Sequence, residues 1–178
     1  MSKTTKILIA GFGGQGVLFT GKAIAYTGLK CGMEVSWLPS YGPEMRGGTA
    51  NCSVTLSDIQ IGSPIVDKPD LLIAMNLPSL EKYYNETEAN GTIIYDSSLV
   101  NKENTREDIK VFGIPATKLA SDNGLEGLAN MIILGKALKE TNVLTLDQVK
   151  TSLAQMIPAK KAEMLDKNVK AMEIGFNF

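Results

Sequence analysis

Apolar positions along this chain fall into two regimes. In the first, short strands are set between turn residues: Ile7-Leu8-Ile9-Ala10 and Leu71 to Met75 are continuous apolar runs, and Thr92 to Tyr95 and Ile109 to Phe112 are two more predicted strands. Runs this short, with no polar face, predict strands buried on both sides of a sheet, as parallel strands between helices are. Glu34-Val35-Ser36-Trp37-Leu38 predicts another strand, ended by Pro39, and Asn51 to Leu56 alternates polar and apolar residues as a half-buried strand does. Ser57-Asp58 predicts a turn into a short hairpin strand, Ile59 to Ile61. Val17 to Lys30 reads as a helix stopped at Gly32, and Pro78 opens a short helix reaching about Tyr84.

From Pro115 the period changes. Leu125, Leu128, Ala129, Ile132 and Ile133 recur at helical spacing as far as Leu138. Thr145 predicts the cap of a helix with Leu146, Val149 and Leu153 on one face, and Lys160 to Met172 carries Met164, Leu165, Val169 and Met172. Asn101 to Asp108 reads as a solvated loop or cap and little more. The expectation is an α/β protein with a three-layer open, mostly parallel sheet and a C-terminal helical segment. A single domain covers 1–178, sheet-rich over 1–114 and mainly helical over 115–178.

Composition narrows the chemistry. With 178 residues, 44% of them apolar, the chain suits one domain with a substantial core. A net charge of −1 provides no basic field for nucleic acid. No run approaches the ~18 apolar residues of a membrane helix. The first residues lead into only four apolar positions before Gly11, short of a secretory h-region, so a cytoplasmic protein without membrane insertion is expected. The chain has 0 histidines and 2 cysteines, Cys31 and Cys52. That excludes histidine-dependent triads and histidine-ligated zinc, and an iron–sulfur cluster wants about four thiolates. No catalytic residue and no metal ligand is assigned. Both cysteines are expected as buried free thiols.

The first chemically distinctive stretch is Gly11-Phe12-Gly13-Gly14-Gln15-Gly16, a G-x-G-x-x-G turn between a strand and a helix, which makes the fold Rossmann-like. Gly11, Gly13, Gly14, Gln15 and Gly16 are therefore candidates for contact with an anion or with a partner's carbonyl groups, through backbone donors at a helix N-terminus. A plain tight turn explains the glycines equally well. A dinucleotide site also wants a carboxylate at the end of the second strand, about 20 residues on. Here that position reads Trp37-Leu38-Pro39-Ser40, without one. Gly16 to Lys22 matches the stem of a phosphate loop, but Ala23 stands where a hydroxyl should hold Mg²⁺, and the spacer lies inside the helix. Lys22 reads as a solvated helix residue.

A second loop, Ser40 to Cys52, follows the second strand and so belongs at the same carboxyl edge of the sheet, where ligands collect in open α/β folds. Tyr41, Glu44, Arg46, Gly47, Gly48 and Asn51 are its candidate active-site-facing or interface residues. Arg46 suits a carboxylate or phosphate, or a local pair with Glu44. Asn76, just before Pro78, and Asp96, after Ile93-Ile94-Tyr95, are secondary candidates at that edge. A helix cap accounts for Asp96 equally well.

Taken together, Gly11 to Gly16, Trp37 to Cys52, Ile61-Gly62-Ser63-Pro64 and Ala74-Met75-Asn76-Leu77-Pro78-Ser79 resemble the gamma subunit of 2-oxoacid:ferredoxin (acceptor) oxidoreductases. The likeness is to the 2-oxoglutarate branch first and the branched-chain 2-oxoacid branch second. The resemblance implies a complex with alpha and beta subunits that hold thiamine diphosphate and Mg²⁺. Iron–sulfur clusters on beta or a ferredoxin-like delta subunit pass electrons to ferredoxin or a similar acceptor, and coenzyme A takes the acyl group. This chain is then expected to bind no cofactor tightly, to act in assembly and to line the coenzyme A or cofactor approach. Two readings stay open beside it: a self-contained nucleotide-binding oxidoreductase and a scaffold that uses the fold without a ligand.

Overall fold

β1 (Thr4–Phe12) takes an interior place in the sheet because it has apolar side chains for both faces. Ile7 and Ile9 enter one core, and Leu8 enters another on the opposite side. A computed structural model describes residues 3–41 and 49–178, with the backbone alone at Tyr41. After β1 come α1 (Val17–Lys30), β2 (Glu34–Tyr41), β3 (Thr49–Ser57), β4 (Leu71–Ala74), α2 (Leu77–Tyr84), β5 (Thr92–Asp96) and β6 (Lys110–Ile114). The helical part follows: α3 (Ala116–Asp122), α4 (Ala129–Thr141), α5 (Leu146–Met156) and α6 (Ala162–Asn177).

The six strands lie in the order β2-β3-β1-β4-β5-β6. β1, β4, β5 and β6 pair in parallel, while β3 is antiparallel to both β1 and β2. Five strands therefore share a direction and β3 alone opposes them. Ile7, Ile9, Val54, Leu71, Ile73 and Ile94 face α1 and α3 to α6. The other face carries Leu8, Leu72 and Ile93 against Leu80 and Tyr84 of α2. β3 shows its alternation plainly: Cys52, Val54 and Leu56 turn to the helices, and Ser53, Thr55 and Ser57 to the opposite side.

Four expectations need correction. Pro39 does not end the second strand, because β2 is an edge strand and a residue without an N–H is tolerated where the ladder faces solvent. Ile59 to Ile61 is not a strand: β3 is already paired on both sides, so no ladder is open to a third partner. The helix expected from Leu125 to Leu138 starts only at Ala129 as α4, because Gly127 just before it takes a positive φ, and the unforeseen α3 precedes it, with Gly124 at positive φ beyond its end. Of the two readings of Asn101 to Asp108, the cap is the one observed. Arg106 Nη1 donates to the carbonyls of Tyr84 (3.1 Å) and Thr87 (2.8 Å) at the end of α2, where a cation also suits the helix dipole. Asp108 holds that guanidinium at 2.6 Å. Of the two thiols, Cys52 is buried as expected, but Cys31 is exposed at the end of α1.

The helical layer is fastened by a close crossing. Gly135 of α4 lies against the Met172 carbonyl, and Gly175 of α6 against the Ile132 carbonyl, with no room for a Cβ at either. α5 starts with the reciprocal bonds of a capping box: Thr145 Oγ1 accepts from Gln148 N at 3.2 Å, and Gln148 Oε1 from Thr145 N at 2.8 Å. Among the described residues, no helix is long and apolar enough to cross a membrane. Gly175→Ala should force α4 and α6 apart and lower stability by about 1–3 kcal/mol, read as a lower urea midpoint. An unchanged midpoint would show that the crossing has slack.

Candidate functional site

The carboxyl ends of β1 and β4 define the site. From β1 the chain leaves through α1 toward the β2 side of the sheet, and from β4 it leaves through α2 toward β5. Between them lies the point where the winding reverses, the usual ligand crevice of an open α/β sheet. Here the crevice is bridged by a side chain of the glycine turn itself. Gln15 Oε1 accepts from Phe12 N at 2.7 Å and from Asn76 Nδ2 at 3.3 Å, and Gln15 Nε2 donates to the Met75 carbonyl at 3.1 Å. The main-chain N–H of Gln15 closes the turn onto the Phe12 carbonyl at 3.2 Å. A Cβ at Gly11 would stand 2.8 Å from Gln15 Oε1, so the bare backbone there leaves room for the amide.

Gly16 joins the turn to α1. It caps the helix with φ 77°, a left-handed backbone that glycine adopts without steric cost. Among the described residues no side chain caps this helix end, so none of them takes the side-chain cap's place at the N–H groups of its first turn. Asn130 of α4 packs over Gly16 and donates to its carbonyl at 3.3 Å and to Thr20 Oγ1 at 3.1 Å. Asn130 Oδ1 is buried without a partner among the described residues.

Open space lies on either side of the glycine turn. A cavity of ≈ 280 Å³ runs along the start of α1, lined by Phe12, Gly14, Leu18, Phe19 and Ala50 among others. A second, of ≈ 380 Å³, lies between Gly14, Gln15 and Met75 on one side and Thr117, Ser121 and Glu126 on the other. Glu126 is the one charged side chain lining either, among the described residues. Neither cavity offers a cation from those residues, so an anion here would rest on backbone N–H groups or on a partner.

The candidate residues distribute as follows. Gly11, Gly13, Gly14, Gln15 and Gly16 come together, but Gln15 acts through its side chain as an internal tie as well as through its backbone. Asn76 joins them: it caps α2 by accepting from Ser79 N at 2.9 Å and reaches Gln15 with its other amide atom. Asp96, with no exposed surface, accepts from Ser98 N at 3.0 Å and from Thr117 N at 3.1 Å. It caps the first turn of α3 from the end of β5, a structural post rather than an open acid. Asn51 lies in β3 opposite Ala10, half-buried. The side chain of Tyr41 and all of Glu44, Arg46, Gly47 and Gly48 lie outside the described residues. The register does bring Tyr41 opposite Ala50, and Thr49 opposite Phe12, so the segment between starts and ends beside the glycine turn. Asn130 and Glu126 escaped sequence reading; an asparagine within an apolar helical run was the available signal for the first.

No three His, Cys, Asp or Glu side chains gather to suit a metal ion or cluster among the described residues. Cys52 offers no reactive thiol, since burial pushes it up to about 11 despite a hydrogen bond with the Trp37 side chain.

Residues 6–178 match the family described as pyruvate ferredoxin/flavodoxin oxidoreductase. Ketoisovalerate oxidoreductase subunit VorA of Methanothermobacter marburgensis is 36% identical over 97% of this chain, which spans 36% of that protein's length. This chain thus covers about a third of the ketoisovalerate relative. 2-Oxoglutarate synthase subunit KorC of the same organism is 33% identical over 96% of this chain and 94% of its own. Among solved structures, the gamma subunit of keto/oxoacid ferredoxin oxidoreductase from Geobacter sulfurreducens superposes with a TM-score of 0.81, at 25% identity, over 97% of this chain and 96% of that one.

Gln15→Ala should leave the Phe12 N–H and the Met75 carbonyl unpaired and cost about 1–3 kcal/mol, seen as a lower urea midpoint with an unchanged slope. For the thiols, a disulfide reagent at pH 8 should modify Cys31 in the native protein and reach Cys52 only after unfolding. Rapid labelling of both in the folded chain would contradict the burial described.

Proposed function

We propose a function on one premise: this chain belongs to the pyruvate ferredoxin/flavodoxin oxidoreductase family. It serves as the gamma subunit of a 2-oxoacid:ferredoxin oxidoreductase. That assembly removes the carboxyl group of a 2-oxoacid as CO₂, joins the acyl carbon to the thiol of coenzyme A and passes the released electron pair to ferredoxin or a similar acceptor. The observation that carries this reading is the end-to-end correspondence with subunit KorC, 96% of one chain against 94% of the other. The substrate favoured is 2-oxoglutarate. A branched-chain 2-oxoacid is the second reading, favoured by the 36% identity to the ketoisovalerate subunit.

In this proposal the alpha and beta subunits, with a ferredoxin-like delta subunit, supply thiamine diphosphate, Mg²⁺ and iron–sulfur clusters. The composition of this chain supports that division, because 0 histidines and 2 cysteines leave it few groups for such chemistry. Its own residues bind and position. The first turn of α1 and the ≈ 280 Å³ cavity beside it receive an anionic portion of coenzyme A or a carbonyl of a neighbouring subunit. Gln15 and Asn76 hold the turn still for that contact. Tyr41, Glu44, Arg46, Gly47, Gly48 and Asn51 face the neighbouring subunit or the approach to its active site. The complex works in the cytoplasm.

Native, anaerobic purification of the tagged chain tests the reading. A set of subunits should accompany it, and together they should reduce a dye only when a 2-oxoacid and coenzyme A are both present. Comparing 2-oxoglutarate with 3-methyl-2-oxobutanoate as substrate separates the two branches. A chain that purifies alone and binds a nicotinamide or flavin nucleotide stoichiometrically would sink the proposal in favour of a self-contained oxidoreductase. Arg46→Ala should leave the fold and melting temperature unchanged while lowering dye reduction by the complex about tenfold, the loss of one charge-assisted contact. Full activity in that complex would remove the loop from the mechanism.

A further inference from the structure

The segment from Asp58 to Asp70 leaves β3 and returns to β4 as an arch, and its two ends are fastened in the same way. Asp58 accepts from the Lys3 N–H at 2.9 Å through its side chain, and its own N–H donates to the Lys3 carbonyl at 3.2 Å. Asp70 repeats this on Lys6, with 2.7 Å for the side-chain bond and 2.8 Å for the main-chain bond. Loops of this length with closed ends are a common seat of function. Under the arch lies a cavity of ≈ 520 Å³, at the amino end of β1. The glycine turn is at the other end of that strand, about 20 Å away at ~3.3 Å per residue. Ile61-Gly62-Ser63, a distinctive part of the sequence that the proposed function leaves unused, lines it.

The floor is polar and set by strand register. Lys6 stands opposite Thr55, and Thr4 opposite Ser57. Thr4 and Ser57 satisfy each other at 2.7 Å, whereas the Thr55 hydroxyl, in a residue 3% exposed, makes no hydrogen bond to a described residue. Lys6 and Lys68 line the cavity, and so do Asp67 and Glu88. None of these four is ion-paired among the described residues, although five ion pairs form elsewhere. Both signs of charge thus line one space, on four exposed residues that form no ion pair with each other, and Glu88 Oε1 also accepts from Ala89 N at 3.3 Å. Ile61 and Ile65 add an apolar wall, and Ile65 leaves 59% of its surface exposed.

We propose that the cavity beneath the Asp58–Asp70 arch binds a small zwitterion with an apolar body, in chemical class a free amino acid. Its carboxylate lies between the Lys6 ammonium and the Thr55 hydroxyl, which the strand register sets opposite each other, its ammonium faces Asp67 and Glu88, and its side chain covers Ile61 and Ile65. Lysines alone would also accept inorganic phosphate; the two carboxylates disfavour a polyanion and supply the partner that an ammonium needs. The site stands on these residues and not on the subunit assignment. Being remote from the glycine turn, it is suited to regulation rather than to chemistry.

The test is a titration of the isotope-labelled full chain with L-leucine, 4-methylpentanoate, 3-methylbutan-1-amine and inorganic phosphate, followed by the amide signals of Thr55, Gly62 and Ser63. L-Leucine should shift them saturably. The acid and the amine should each bind about tenfold more weakly, the factor for one lost hydrogen bond to a charged group, and phosphate should bind less tightly than leucine. Lys6→Gln should weaken leucine and 4-methylpentanoate about tenfold and leave the amine unaffected. The clamps use only main-chain atoms of Lys6, so this variant folds, and unchanged signals from α4 and α6 verify that. No saturable shift with leucine, a tighter hold on phosphate, or a Lys6→Gln chain that binds leucine as before would each overturn the proposal.

Discussion

The amide of Gln15 is the contact on which the candidate site depends. It reaches the main chain of β1's last residue, the carbonyl beyond β4 and the cap of α2 at once, so one side chain sets the spacing between two strand ends and two helix starts. Each bond contributes on the order of 1 kcal/mol net, small beside the burial of the isoleucine and leucine core. The core holds the sheet together with many interchangeable contacts. The amide determines geometry, because no other described side chain bridges these groups. It also occupies the place where an open α/β sheet usually receives a ligand. Open volume is displaced to the flanks of the turn, along α1 on one side and toward α3 on the other.

The elements readable in advance were those specified by local chemistry. Continuous apolar runs became strands with two buried faces, Thr145 became a cap, and Gly32, at φ 77°, stopped α1 as its position implied. What escaped depends on neighbours distant in sequence. Pro39 is compatible with β2 only because nothing pairs on its outer side, and edge position is a property of the whole sheet. Ile59 to Ile61 has strand composition but finds no free ladder. Arg106 looked like one charge in a polar run; its role exists only because α2 ends within reach of it. The same distinction divides the candidate site. The glycines and Asn76 were legible as turn and cap chemistry, whereas the long-range partners of Gln15, Asn130 and Asp96 are known only after the strands are laid side by side.

The family relationship and the physical chemistry agree on restraint. Apart from the Glu126 carboxylate, which lines the cavity toward α3, the potentially reactive side chains of the described site are committed: Asp96 caps α3, Asn76 caps α2, and Cys52 is a buried thiol beneath α1. What the site leaves available is backbone N–H groups, small apolar surface and shape. Those suit contact with another molecule's polar end, and they suit a subunit that positions reactants held elsewhere.

The Asn130 contact also bears on when the site comes into being. Asn130 and Gly16 are 114 residues apart, so their bond closes one of the longest loops in the chain. The entropy of such closure must be met by other contacts first, which makes distant pairings late events in folding. The glycine turn can therefore take its left-handed exit into α1 early, as a local habit of the backbone, yet acquire its final rigidity only when α4 docks. Competence at this edge is a certificate of completed folding: a chain with its sheet assembled but its helical layer still loose would present the turn unanchored.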